Sequence, residues 1–179
     1  MILNLNRTQT NNFKKTAVIL FVVAAVWFIL DRITKIYFDS GQFTLGQNIS
    51  DSILGIFHLT LVHNTGAAFG IFGNSTIVLG IISVIVSVFL LALPFALMNY
   101  KGKNNFSYKP TFMQLFAIGI VVSGGIGNAI DRFVTGYVVD FICFDFIDFP
   151  VFNIADIGVT CGVIILVTLM MYYSFSKTK

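Results

Sequence analysis

The sequence predicts an all-α integral membrane protein with four transmembrane helices, and three observations carry that reading. Of 179 residues, 56% are hydrophobic and only 11% are charged, where soluble domains carry about 25% charged residues. The apolar residues gather into four runs at about 16–37, 75–98, 111–133 and 153–175, each long enough to cross roughly 30 Å of hydrocarbon at about 1.5 Å per residue. The intervening segments 38–74 and 134–152 are too polar and broken to cross. No linker, low-complexity tract or internal repeat divides the chain, so residues 1–179 read as a single membrane domain.

Met1 to Lys15 is a short polar tail with Arg7, Lys14 and Lys15. The first span ends in Asp31-Arg32-Ile33-Thr34-Lys35. Its apolar run is too long for a cleaved signal peptide, and no small-residue cleavage site follows. Asp31 and Lys35 stand four apart, in the favourable order for a helical ion pair. Two readings stay open: a salt bridge that anchors the helix end, or contact with a ligand headgroup.

After it, Phe57 to Val62 largely alternates and reads as a half-buried strand. It leads into His63-Asn64-Thr65-Gly66-Ala67-Ala68-Phe69-Gly70, whose small residues let a backbone approach closely. This is either a tight turn or a loop in which Asn64 and exposed main chain hold an extended peptide. His58 and His63 lack a plausible set of metal partners and read as strand residues.

The second span contains Pro94, and the loop after it holds Lys101, Lys103 and Lys109. In the third span Ser123 and Gly127 form a small-xxx-small pair suited to close helix packing. Gly124, Asn128, Asp131 and Arg132 recur at helical spacing and should share one inward face. Val138-Val139-Asp140-Phe141-Ile142-Cys143 alternates, placing Asp140 on a strand, and Asp145 and Asp148 follow among aromatics at an interface. Pro150 and Asn153 mark a helix start, with Asp156 in the first turn of the fourth span. Cys143 and Cys161 make no disulfide framework.

Eight of the eleven Lys and Arg lie in the two tails and the central loop, and all eight acids are aspartates in or beside the other two segments. The positive-inside rule then puts both termini in the cytoplasm. Asp31, Asn128, Asp131, Asp140 and Asp156 fall at one depth, near the outer interface. An acid at the centre of a span costs about 2.5–3.5 kcal/mol on insertion scales, so such a group needs a partner or a function.

The chemistry open to these residues is narrow. The chain has no glutamate, which excludes H-E-x-x-H zinc peptidases, and it has no G-x-S-x-G nucleophile elbow. A net charge of +3 is no nucleic-acid signature. Metal binding by the acids is a weaker reading, given apolar surroundings, and neither a metal nor a cofactor is expected. Asp140 and Asp156 facing one another would share a proton, so that one activates water while the other polarises a carbonyl. Structural helix-end acids and a proton or ion relay are the competing readings; against a relay, no second half mirrors the first.

Five ordered motifs then carry a resemblance: Asp31 with Lys35; Asn64-Thr65-Gly66-Ala67-Ala68-Phe69-Gly70; Gly124-Gly125-Ile126-Gly127-Asn128 with Asp131-Arg132; Val138-Val139-Asp140; and Phe152-Asn153-Ile154-Ala155-Asp156. Together they resemble the motif set of bacterial lipoprotein signal peptidases (signal peptidase II), across all four spans. The resemblance implies a membrane aspartic endopeptidase that removes the signal peptide from diacylglyceryl-modified prolipoproteins, cutting just before the lipidated Cys. It implies Asp140 and Asp156 as the catalytic dyad. Asn64, Gly66, Ala68, Gly124, Asn128, Arg132, Val138, Asn153 and Ala155 would line the site, with Asp31, Lys35 and Asp131 as structural support. It also implies a small extracytoplasmic β-cradle, a mobile periplasmic helix, residence in the bacterial inner (cytoplasmic) membrane, contact with membrane lipid and inhibition by the cyclic peptide globomycin.

Overall fold

The computed structural model describes residues 7–66, 75–99 and 108–176. Four long helices account for most of them: α1 (Arg7–Phe38), α2 (Thr76–Asn99), α3 (Phe112–Val134) and α4 (Ile154–Ser176). All four are long and apolar enough to cross a membrane. Two strands, β1 (Phe57–Asn64) and β2 (Val138–Phe144), pair antiparallel at one end of the bundle. Helix α1 begins nine residues before its apolar run. The run sets how much helix enters hydrocarbon, whereas the backbone hydrogen-bond ladder continues through the polar residues ahead of it.

Helix α3 is the hub and packs on each of the other three helices. Within its most apolar 18-residue stretch 67% is buried, against 11–17% in the others. Lipid tails are as apolar as Leu, so close packing and polar contacts hold such helices together. The small residues of α3 permit that approach in three directions. A methyl group on Gly124 would run into the carbonyl oxygen of Ala155 on α4, one on Gly125 would meet Ser87 of α2, and one on Gly127 would stand 2.6 Å from Asp31 Oδ2 of α1. Helix α2 answers with Gly80, Ser87 and Pro94, buried at intervals of seven. The first turn of α3 closes with a reciprocal cap between Thr111 and Gln114.

The sheet rests on the end of α1. Phe38, Leu61, Val139 and Phe141 form its buried core, with the Phe38 and Phe141 rings stacked at 4.2 Å. Residues 39–56 hold no helix and run along the outer edge of β1, where Gly46 and Ile49 donate their backbone N–H groups to Leu61 and Leu59. The periplasmic helix that the resemblance implies is therefore not found in that segment. Phe152 pairs with Ile142 on the other edge of the sheet. Both edges are thus partly occupied by the chain itself.

Candidate active site

Asp140 and Asp156 reach the site from different kinds of element. Asp140 is a buried residue of β2, and Asp156 stands in the first turn of α4. Register decides what Asp140 meets. Leu59 pairs with Ile142 but Val62 pairs with Asp140, so β1 carries one extra residue between these pairs. Without that bulge His63 would share the face of Asp140; with it, Asn64 does. Asn64 Nδ2 donates to Asp140 Oδ2 at 2.8 Å, while Asn64 Oδ1 accepts the Gly66 N–H at 3.0 Å and so fixes the amide's orientation.

Asn153, fully buried, caps α4 and joins the two acids. Its Oδ1 accepts the Asp156 N–H at 3.0 Å, and its own N–H donates to Asp156 Oδ2 at 3.1 Å. This is a reciprocal cap with Asp in the place usually held by Glu or Gln. Asn153 Nδ2 meanwhile donates to Asp140 Oδ1 at 2.6 Å. Asn128 of α3 completes the setting by donating Nδ2 to Asp156 Oδ1 at 2.7 Å. All four carboxylate oxygens therefore receive an amide or backbone N–H.

A layer of ions lies behind these amides. Lys35 Nζ donates to Asn128 Oδ1 at 2.6 Å and stands 2.7 Å from Asp131 Oδ2 and 3.2 Å from Asp31 Oδ1. Arg32 bridges the same two acids at 2.6 Å (Asp131) and 2.8 Å (Asp31). Asp31 also accepts the Ala155 N–H at 3.1 Å, tying α1 to the start of α4. Two acids and two bases leave this layer neutral. The Asp31–Lys35 pair is thus part of a buried cluster, and Arg32, read from sequence only as a helix-end residue, is its fourth member.

Burial pushes the Asp140 carboxyl up to about 7, and the neighbouring charge of Asp156 adds to the rise; the Asn64 and Asn153 hydrogen bonds and the Lys35 charge oppose it. The dyad opens into a cavity of about 390 Å³. Asn64, Gly66, Asn128, Arg132, Val138, Asp140 and Asp156 line it. Gly124, Asn153 and Ala155 are instead a layer behind: Asn153 and Ala155 are inaccessible, and Gly124 forms the α3–α4 contact. Ala68 lies outside the described residues. Arg132 reaches the carbonyls of Asn128 and Gly66, each at 3.4 Å.

Sequence reading missed the apolar wall, made by Phe144, Phe149, Pro150, Val151 and Phe152 with Ile157, Thr160 and Cys161 of α4. Of the α4 members only Thr160, four positions beyond Asp156 and so on its helical face, was findable by spacing. Cys143 and Cys161 are both free thiols. His58 and His63 both lie on β1, and each has a carboxylate neighbour: His58 Nδ1 contacts Asp145 at 2.6 Å and His63 Nε2 contacts Asp39 at 2.7 Å. Among the described residues, no group of three His, Cys or acidic side chains converges as a metal site would require.

Comparison with known proteins gives this geometry its relatives. The family model described as Signal peptidase (SPase) II matches residues 23–172. A lipoprotein signal peptidase of Nostoc punctiforme is 39% identical over 160 residues, covering 88% of this chain and 90% of that one. One from Streptococcus thermophilus is 36% identical over 157 residues, covering 88% and 94%. A solved bacterial membrane enzyme superposes with a TM-score of 0.73 at 30% identity, over 88% of this chain and 90% of its own.

The ion cluster generates a stability prediction. Replacing Lys35 by Met leaves Asp31 and Asp131 with one cation between them and should cost about 3–5 kcal/mol, the scale for breaking a buried pair. The double change Lys35→Met with Asp131→Asn removes the stranded charge and should recover part of the loss. Melting temperatures of the three proteins in detergent check this; a Lys35→Met protein that melts like the parent would contradict it.

Proposed function

The chain belongs to the lipoprotein signal peptidase (signal peptidase II) family, and from that premise we propose which of its residues carry the chemistry. The protein is a multi-pass membrane aspartic endopeptidase acting on lipoprotein signal peptides. Asp140 and Asp156 form its catalytic pair. The observation that carries this assignment is that both carboxylates, each oriented by amide donors, border one largely apolar cavity.

The proton starts on Asp140, whose burial favours the neutral form. Asp156 is the anion, placed at the positive end of α4 with two N–H donors on it. Asp156 takes a proton from water as the water oxygen attacks the scissile carbonyl carbon, and Asp140 gives its proton to the carbonyl oxygen. The tetrahedral intermediate then collapses: its C–N bond breaks, the leaving amine receives the proton held by Asp156, and a hydroxyl proton returns to Asp140. The starting charge state is restored.

The substrate is a diacylglyceryl prolipoprotein, cut before its lipidated Cys. Its acyl chains pass from membrane lipid against Phe144, Phe149, Phe152 and Ile157, while Asn64, Gly66 and Arg132 face the peptide. Val138 closes the wall beside Asp140. Gly124, Asn153 and Ala155 hold the helix start that carries Asp156, and Asp31, Lys35 and Asp131 support it from behind. Globomycin, a cyclic peptide, would occupy the same cavity. The enzyme resides in the bacterial inner membrane with both termini cytoplasmic and the dyad near the outer face, supported by the segregation of Lys and Arg from Asp along the chain.

Four outcomes test the proposal. Asp140→Asn and Asp156→Asn should each abolish processing of lipidated substrate while melting as folded proteins, and Asp145→Asn and Asp148→Asn should stay active. Unlipidated precursor should be cut far more slowly, since each buried CH₂ contributes about 0.8 kcal/mol to membrane-side binding; robust cleavage by either dyad variant would remove the aspartic mechanism. In the pH profile, Asp140 must hold its proton, so kcat/KM should fall as pH rises through about 7. The measured limb belongs to the pair; a flat profile from pH 6 to 9 would contradict the shared proton. Reporter fusions after Lys109 and Lys179 should report cytoplasm, and one after Asp148 the outside; a reversed set would overturn the orientation.

A further inference from the structure

Where α1 begins, α2 ends and α3 starts, away from the dyad, the bundle holds a second cavity. It measures about 310 Å³, and its lining includes Asn12, Lys15, Thr16, Met98, Lys109 and Leu115. The polar members come from the first turns of α1 and the residues leading into α3. The floor is apolar: Leu115 is 2% exposed and belongs to a buried cluster with Leu20, Ile118 and Val122. Thr16 is buried as well, with its hydroxyl turned to Met98 Sδ at 3.6 Å. Its rim is therefore cationic and its base is hydrocarbon.

Among the described residues, no carboxylate pairs with that rim. No acidic side chain precedes Asp31, none lies between Asp51 and Asp131, and none follows Asp156. Among the described residues every ion pair involves Arg32, Lys35, His58 or His63, and neither Lys15 nor Lys109 has one. Lys15 directly precedes the apolar run of the first span, a position suited to a headgroup contact.

We propose that this cavity is a binding site for an anionic phospholipid, with Lys15 and Lys109 on the phosphate, Asn12 beside it, and an acyl chain running past Met98 towards Leu115. Basic pockets between spanning helices are suited to such headgroups. A zwitterionic headgroup would bring its own cation to two lysines that lack partners, and free phosphate would leave the apolar base unused. The site is separate from the dyad and needs no assumption about which leaflet it faces.

Native mass spectrometry of the purified enzyme decides it, with dioleoylphosphatidylglycerol, dioleoylphosphatidylcholine and inorganic phosphate as separate probes. Phosphatidylglycerol should be retained well above the other two. Lys15→Gln with Lys109→Gln should weaken retention about thirtyfold, on a scale of about fivefold per lysine at an anionic surface. Lys14→Gln, on an exposed neighbour outside the cavity, should leave it unchanged. Met98→Trp fills the cavity without altering charge and should also weaken retention, so it decides the matter alone if the double variant does not fold. Equal retention of phosphatidylcholine, an unaffected double or Met98→Trp variant, or an equal loss in Lys14→Gln would overturn the site. Phosphate bound as tightly as the lipid would overturn the lipid assignment in favour of a free anion.

Discussion

Lys35 sits in a part of the bundle where its ammonium has almost no water, and everything around it follows from that. A buried charge survives only if it is paired and its donors are used. Asp31 and Asp131 supply the pairing, and Arg32 balances the second acid. Three helices contribute to the arrangement: α1 carries Asp31, Arg32 and Lys35, α3 carries Asp131 and Asn128, and α4 offers the Ala155 N–H. The cluster therefore ties these helices at one level, where apolar packing alone offers little preference for one rotation over another.

The same ammonium reaches the dyad through one intermediary. Because Asn128 Oδ1 accepts from Lys35 and from Asn153, its Nδ2 must face Asp156. An amide left to itself could flip; with its oxygen on a cation it has one orientation. The chain thus converts a charge requirement into the aim of a neutral donor. Asn153 does the complementary task, capping α4 with its carbonyl oxygen while its amide nitrogen holds Asp140.

Placing one acid on a helix and the other on a strand makes the sheet's docking part of the site. Phe38 stacks on Phe141 beside Asp140. Nearby, Asp39 receives His63 at 2.7 Å and the Tyr137 hydroxyl at 3.2 Å, with the His63 and Tyr137 rings stacked at 3.8 Å. Those contacts flank Asn64 and Val138 in the chain, so the end of α1 fixes both strands that frame Asp140. Helix α1 accordingly serves the dyad twice, once through its charged face and once through its C-terminal cap.

Much of this was legible in the sequence. The four apolar runs determine the spans by length, and alternation marks both strands. Asp31, Asn128, Asp131, Asp140 and Asp156 stand out because charge and amide groups at that depth require partners. Periodicity assigns a residue to a face, however, and leaves its partner undetermined. That Arg32 joins the cluster, that Asn153 touches both acids, and that Gly124 and Ala155 lie behind the cavity wall all depend on how α1, α3 and α4 cross. That Asn64 rather than His63 meets Asp140 depends on one extra residue in β1, and a single-residue slip changes the face of every side chain beyond it. The aromatic wall from Phe144 to Phe152 became part of the site only when β2 and its return segment folded over the start of α4. Such contacts join residues as far as 124 positions apart, and no local period encodes them.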